Sequence, residues 1–205
     1  MKLDFIHDIQ SAYRKVVDSM SKPGFITNLK DEADKVDLEA GCFSSTLVLA
    51  MMLLDTEVTF KVISNREEEI TRWMNQLTYS KTDEVEKADF VFVLQDVSQS
   101  MFEQTFKQAK IGSLLDPHES ATVIIETDEI RNGNQYVLTG PGIEGENYAK
   151  ISIKGNWVEI REQKNAEYPM GVDLIFVDKS HNLLCLPRTT QISIEGGSLD
   201  GVCGS

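Results

Sequence analysis

The sequence predicts an α/β fold in which a mixed β-sheet is flanked by helices. Helix-like and strand-like apolar patterns alternate in the first half of the chain, and short strand patterns follow one another in the second half. No proline-rich linker separates the two halves. We therefore predict a single α/β domain over residues 1–195 and a mobile Gly- and Ser-rich tail over residues 196–205.

Helices are predicted where apolar residues recur at three- and four-residue spacing. These segments are residues 6–20, 44–55, 67–77 and 102–109. In the first of them, the apolar residues form one stripe that we expect to be buried: Ile6, Ile9, Tyr13, Val16, Val17 and Met20. Ser44 or Ser45 could cap the second helix, because a hydroxyl at that position can accept a backbone N–H.

Strands are predicted where apolar, β-branched and aromatic residues cluster between turn signals. These segments are residues 58–63, 88–94, 122–126, 136–139, 157–162, 174–177, 183–186 and 192–194. Residues 149–154 fit neither pattern clearly. The strands at 174–177 and 183–186 are close enough in sequence to form an apolar β-hairpin.

Charge excludes one class of partner. Acidic residues outnumber basic ones by 33 to 20, which gives a formal net charge of −13 and a pI near 4.6. Such a chain repels a nucleic-acid backbone, so we expect no direct nucleic-acid binding. The longest apolar run, residues 47–54, is far shorter than the ~20 residues that span a bilayer, so no membrane segment is predicted.

The cysteines indicate a reducing compartment. Cys42, Cys185 and Cys203 are odd in number and widely spaced, which suggests neither a disulfide framework nor a zinc site. We therefore expect a cytoplasmic protein. Cys42 precedes the second helix, where the helix dipole could lower a thiol pKa, but a small buried residue is the favoured interpretation.

The predicted hairpin holds the candidate site residues. Arg188, Thr189 and Thr190 combine a forked cation with two hydroxyls, and could bind a phosphate or a carboxylate. Alternatively, Arg188 neutralises Asp173, which lies in an apolar run and requires a partner. We slightly favour this internal pair. Arg14, in the first helix, has the same alternatives: it could bind a ligand, contact a partner or stabilise the fold.

The sequence predicts no catalytic, metal or cofactor site of its own. The three histidines are scattered along the chain. The loop Gly140-Pro141-Gly142 lacks the lysine and spacing of a phosphate-binding loop, so it is better explained as a sharp turn.

Four separated motifs, in this order, resemble the H-subunit family of the bacterial carbon-phosphorus lyase core complex. They are Tyr13-Arg14-Lys15-Val16 leading to Met20-Ser21-Lys22-Pro23-Gly24, then residues 117–122, then Leu138-Thr139-Gly140-Pro141-Gly142-Ile143, and finally residues 168–190. Residues 31–116 are similar to the family mainly in their order of elements, and the chain after Ile194 extends beyond the resemblance.

This resemblance implies a fold similar to that of type I pyridoxal-phosphate-dependent transferases, reduced in size and without the cofactor. It also implies partners, because the family acts with three other core subunits. That assembly displaces the purine of a nucleoside triphosphate with an alkylphosphonate and yields a ribose 1-alkylphosphonate 5-triphosphate.

Two functional hypotheses follow from the resemblance and the residues together. The first is a required, non-catalytic subunit of the complex, which forms a homodimer when isolated. The second is an autonomous domain that binds or converts a nucleotide or phosphonate through Arg188, Thr189 and Thr190.

Overall fold

Six α-helices, one short 3-10 helix (Pro117–Glu119) and ten strands occur in the part of the chain that the structure, a computed structural model, describes: residues 2–153 and 155–194. The helices are α1 His7–Ser21, α2 Lys30–Ala33, α3 Ser44–Leu53, α4 Glu67–Thr78, α5 Gln99–Gln108 and α6 Trp157–Lys164. The strands are β1 Thr27–Asn28, β2 Thr59–Ile63, β3 Lys81–Thr82, β4 Phe90–Val93, β5 Thr122–Thr127, β6 Ile130–Thr139, β7 Asn147–Ile151, β8 Asp173–Asp178, β9 Asn182–Leu186 and β10 Gln191–Ile194. The tail predicted over residues 196–205 lies outside the described residues.

A seven-stranded mixed sheet has the order β1-β9-β8-β5-β4-β2-β3. Its central strands β8, β5, β4 and β2 are parallel, while β9 runs antiparallel to β8 and forms the predicted hairpin with it. A separate antiparallel sheet has the order β10-β6-β7. The mixed α/β fold predicted from the sequence is confirmed.

The direction of the chain crossovers explains why helices cover both faces of the large sheet. The connection from β2 to β3 moves toward one edge, whereas β4, β5 and β8 follow one another toward the other edge. Right-handed crossovers in opposite directions place their connecting segments on opposite faces. One core accordingly contains residues of α1, α3 and α4, and the other contains residues of α5, α6 and the small sheet.

Successive side chains of each strand in the large sheet point alternately into one core and the other. Phe92 and Ile124 belong to the core under α3 and α4, while Val91, Val93 and Val123 belong to the core under α5 and α6. All five are buried, so β4 and β5 are apolar on both sides. This is why these strands read as continuous apolar runs in the sequence.

One predicted strand is wrong. Residues 157–162 form most of helix α6, not a strand. The buried residues Trp157, Ile160 and Arg161 have helical spacing, but the segment is too short for that pattern to be distinguished from a strand. The indole of Trp157 packs edge-on between the rings of Tyr136 and Phe176, at centroid distances of 5.1 and 5.4 Å.

The buried stripe predicted for α1 is also wrong in part. The helix buries Asp8, Ala12, Val16 and Ser19. Its small residues face the sheet, and the Ser19 hydroxyl donates to the Phe25 carbonyl and accepts the backbone N–H of Cys185, both at 2.9 Å. Val16 is buried, and Ile9 and Met20 pack partly buried against the core, as predicted. The large apolar side chains of Ile6, Tyr13 and Val17 are instead exposed.

Residues 149–154, which fitted neither pattern clearly, begin within β7, as far as Ile151. Within residues 2–153 and 155–194, no helix is both long and apolar enough to cross a membrane.

Candidate functional site

A crevice opens at the carboxyl ends of β4 and β5. Its two hollows, of about 260 and about 530 Å³, share Leu94, Gln95, Glu126 and Asp128. The crevice lies at the end of β4, and the order of the parallel strands changes direction between β4 and its neighbour β2. In open α/β sheets, ligands bind at the carboxyl ends of the strands next to such a reversal. The crevice is therefore the candidate functional site.

Glu126 forms the floor where the two hollows meet. Its side chain is buried, and its Oε1 accepts the backbone N–H of Phe43 at 2.7 Å and the hydroxyl of Thr46 at 2.6 Å. Its Oε2 accepts the backbone N–H of Gln95 at 3.3 Å. Burial raises the pKa of the Glu126 carboxyl, although these hydrogen bonds oppose the shift.

This carboxylate accepts hydrogen bonds from the start of α3, where the sequence predicted a serine cap. The helix begins at Ser44 with Phe43 as its N-cap, and the N-cap side chain makes no capping hydrogen bond. Neither Ser44 nor Ser45 is the capping residue, so that prediction is wrong. The acceptor at this helix start comes from β5, and its only sequence signal is a glutamate that ends an apolar run.

The smaller hollow is apolar at its base and polar at its rim. Its apolar lining consists of Val93, Leu94, Val97, Phe102, Ile125, Ile151 and Ile153. At the rim, the Gln95 side-chain amide donates to the Asp128 carboxylate, which also pairs with Lys179 at 3.3 Å. Lys179 is the sole cation among the described lining residues of both hollows. The crevice therefore suits a neutral or cationic group better than a phosphate.

Cys42 lines the larger hollow, but its thiol is not activated. Burial, and secondarily the negative charge of Glu126, raise the pKa of the Cys42 thiol. Burial also raises the pKa of Cys185 to about 12. Both thiols stay protonated at neutral pH, which makes them poor nucleophiles. Within the described residues, no cluster of three or more His, Cys, Asp or Glu side chains is arranged to hold a metal ion.

The sequence-predicted residues Asp173, Arg188, Thr189 and Thr190 come together at the other edge of the sheet, where β8 starts and β9 ends. Arg188 Nη2 lies 2.6 Å from Asp173 Oδ2, and both side chains are largely buried. The Arg188 backbone N–H donates to Asp173 Oδ1 at 2.7 Å. The internal pair predicted from the sequence is therefore present.

The remaining donors of Arg188 bind the Asp173 carboxylate and two loop carbonyls. Its Nε is 3.3 Å from Asp173 Oδ1, and its Nη1 donates to the carbonyls of Pro117 and Pro169 at 2.9 and 3.4 Å. Every nitrogen of this guanidinium is thus engaged within the chain. Arg14 is exposed on α1, and no hydrogen bond or ion pair among the described residues joins it to this cluster.

Arg161 is a member of this cluster that the sequence analysis missed, because it lies in the segment predicted as a strand. It is only 3% exposed, and it donates to the carbonyls of Thr190 at 2.8 Å and Pro187 at 2.5 Å. Burial lowers its pKa to about 10, so it remains a cation at neutral pH. Its Nε and the Thr190 hydroxyl are buried without a hydrogen-bond partner among the described residues.

Asp173→Asn should destabilise the fold by about 2 kcal/mol, because it leaves the Arg188 cation without its counter-charge in a mostly buried place. The loss is smaller than for a fully buried pair, since water still reaches both groups. Denaturant unfolding of the isolated chain measures the change.

Glu69→Gln is the matched control for that substitution. It removes the carboxylate charge from an Arg–Glu pair that is about half exposed, and the expected cost is below about 0.5 kcal/mol. Equal losses in the two variants would contradict the importance of the Asp173–Arg188 pair.

Glu126→Gln should change how stability depends on pH. Because burial raises the pKa above its ordinary 4.5, the folded chain keeps the Glu126 proton at pH values where the unfolded chain has lost it. The parent should therefore lose stability relative to the variant as pH rises from 4.5 through the raised folded-state pKa, and no further above it. Unfolding measurements on both chains across this range test the prediction, and a pH-independent difference would contradict it.

Comparison with known proteins identifies the family. Residues 3–193 match the family model described as "Bacterial phosphonate metabolism protein (PhnH)". The chain is 31% identical, over 91% of its length and 87% of the relative's, to a protein of Stutzerimonas stutzeri named "Putative C-P lyase subunit protein HtxG". It is 26% identical, over 94% of both chains, to a protein of Rhizobium meliloti (strain 1021) named "Alpha-D-ribose 1-methylphosphonate 5-triphosphate synthase subunit PhnH". The resemblance to the H-subunit family of the carbon-phosphorus lyase core complex is thereby confirmed, and the chain belongs to the PhnH family of bacterial phosphonate metabolism proteins.

Proposed function

We propose that this chain is a required, non-catalytic subunit of a carbon-phosphorus lyase core complex. In this role it supports the formation of a ribose 1-alkylphosphonate 5-triphosphate from a nucleoside triphosphate and an alkylphosphonate. The observation that carries the proposal is the family match over residues 3–193, together with two relatives that are both named as subunits.

The chemistry of the described side chains supports a non-catalytic role. The thiols of Cys42 and Cys185 have raised pKa values, and the Arg188 guanidinium is engaged by Asp173 and two carbonyls. The two thiols are therefore protonated and unreactive, and the candidate phosphate-binding cation is held by hydrogen bonds within the chain.

The exposed side of α1, together with the residues that flank this helix, supports assembly. Phe5, Ile6, Tyr13, Val17 and Phe25 are large apolar residues that water reaches in the isolated chain. Exposed apolar surface of this kind is typical of subunits that bind another chain. We propose that this surface forms the contact of a homodimer when the chain is isolated.

Two further expectations remain proposals. One is that the fold is a reduced form of the type I pyridoxal-phosphate-dependent transferase fold, which the parallel strands β2, β4, β5 and β8 support. The other is a cytoplasmic location, which the free thiols of Cys42 and Cys185 support because disulfides are rare in a reducing compartment.

Co-expression of the tagged chain with the other core subunits tests the assembly role. We expect native mass spectrometry to detect a defined hetero-oligomer, and a homodimer when the chain is expressed alone. The isolated chain should not turn over a nucleoside triphosphate with an alkylphosphonate. Turnover by the isolated chain that is lost on Arg188→Ala would overturn the non-catalytic role, and a monomeric mass at micromolar concentration would overturn the homodimer.

A second function, small-molecule binding, is favoured by one observation: the crevice at the strand ends has an apolar base, hydrogen-bonding groups at its rim and a volume of about 260 Å³ in its smaller hollow. This is close to the lower limit of ~300 Å³ for ordinary ligand pockets. The crevice and the Arg188-Thr189-Thr190 cluster are separate candidate sites for such a ligand.

Calorimetric titration of the isolated chain with ATP and magnesium distinguishes the two functions. The assembly role predicts no saturable heat, because the described crevice lining has a single, paired cation. If saturable heat is observed, two variants locate the ligand. Val97→Trp should abolish the binding heat if the ligand lies in the crevice. Thr189→Ala should weaken the affinity if the ligand lies at the Arg188-Thr189-Thr190 cluster.

A further inference from the structure

Residues Ser113 to Asp116 form a closed turn with two leucines at its tip. The Ser113 backbone N–H donates to the Asp116 carbonyl at 3.2 Å, and the Asp116 N–H donates to the Ser113 hydroxyl at 2.9 Å. Leu114 and Leu115, between them, are 66% and 90% exposed. Central turn positions usually hold Gly, Pro, Asn, Asp or Ser, so the closure of this turn does not require leucine.

The turn is held against a second loop by Arg188. Arg188 Nη1 donates to the carbonyls of Pro117 and Pro169, which lie in the two different loops. The loops are also joined directly, because the Gly171 N–H donates to the Ile111 carbonyl at 3.0 Å. The second loop carries Tyr168, which is 75% exposed. Leu114, Leu115 and Tyr168 are called the leucine-turn surface below.

Exposed carboxylates lie in the same two loops as the leucine-turn surface. Asp116, Glu119 and Glu167 are exposed in these two loops, and neither residues 111–119 nor residues 165–171 contain a lysine or an arginine. The adjacent lysines are engaged elsewhere, Lys110 with Asp89 at 2.5 Å and Lys164 with the Ala109 carbonyl at 2.6 Å. Two copies of this surface placed face to face would bring acidic groups together, which disfavours self-association here.

We propose that the leucine-turn surface is a docking site for a partner subunit, which receives the two leucines and Tyr168 in an apolar pocket rimmed by lysine or arginine side chains. This inference rests on the proposed assembly function and names a second contact in addition to α1. The charge pattern favours a basic partner, because an acidic rim complements a basic one and repels another copy of the chain. The Asp173–Arg188 pair then has a role in assembly, since it fixes the loops that present the surface.

The test uses the core complex assembled without this chain, to which the purified chain is added back and its dissociation constant measured. Leu114→Ser combined with Leu115→Ser should weaken binding about tenfold or more, as truncation of central interface residues does. The melting temperature of the isolated variant should match that of the parent, because serine is favoured in turns and both leucines are exposed.

Tyr79→Asn is the matched control. Tyr79 is also a large exposed residue, but it follows α4 and lies in the left-handed backbone region, which asparagine tolerates. Its dissociation constant should stay within about twofold of that of the parent, as expected outside an interface. Charge reversal by Glu119→Lys with Glu167→Lys should weaken binding, with the largest effect at low salt.

Three results would overturn the proposal. Binding of the leucine double variant within about twofold of the parent would remove the docking site while leaving the assembly role intact. Loss of the homodimer in the isolated double variant, with subunit binding unchanged, would identify a second copy as the occupant. Failure of the parent itself to bind would overturn both the assembly role and this surface.

Discussion

The ion pair between Asp173 and Arg188 is the interaction on which one whole edge of the molecule depends. It joins the first residue of β8 to the chain just after β9, and the same guanidinium holds the loop carbonyls of Pro117 and Pro169. A mostly buried carboxylate and a mostly buried guanidinium each require the other, because either charge alone would be costly away from water. Their pairing therefore fixes the hairpin and both adjacent loops as one unit.

The two edges of the large sheet differ in charge. At the carboxyl ends of β4 and β5, the buried Glu126 and the exposed Asp128 lie next to a single described lining cation, Lys179. At the opposite edge, Arg188 pairs with the carboxylate of Asp173, while Arg161 donates to the carbonyls of Thr190 and Pro187. An anionic ligand would be repelled at the crevice, and at the other edge it would find a guanidinium that is already occupied. The chain is thus better suited to contribute a structured surface than to hold a triphosphate by itself.

Glu126 shows how one buried carboxylate can shape a site without being its reacting group. Its oxygens receive hydrogen bonds from the start of α3 and from the chain after β4, so the residue connects three segments around the crevice. Burial raises its pKa because the surroundings favour the uncharged form. An environment that positions the carboxylate this firmly leaves it little freedom to bind a ligand, which agrees with a structural role for the crevice floor.

The sequence alone predicted the mixed α/β class, the family and most elements, and it favoured the Asp173–Arg188 pair over a ligand site. Apolar periodicity, motifs in a fixed order and a charged residue in an apolar strand are signals that can be recognised without the fold. The side that α1 buries was decided by tertiary structure, since its small residues Ala12 and Ser19 allow close approach to the sheet. Likewise, the segment starting at Trp157 became a helix through packing against Tyr136 and Phe176. Glu126 caps α3, and Arg188 holds two loops together, through contacts between residues that are far apart in the chain. Only the folded chain brings such residues together, so no local pattern could reveal them.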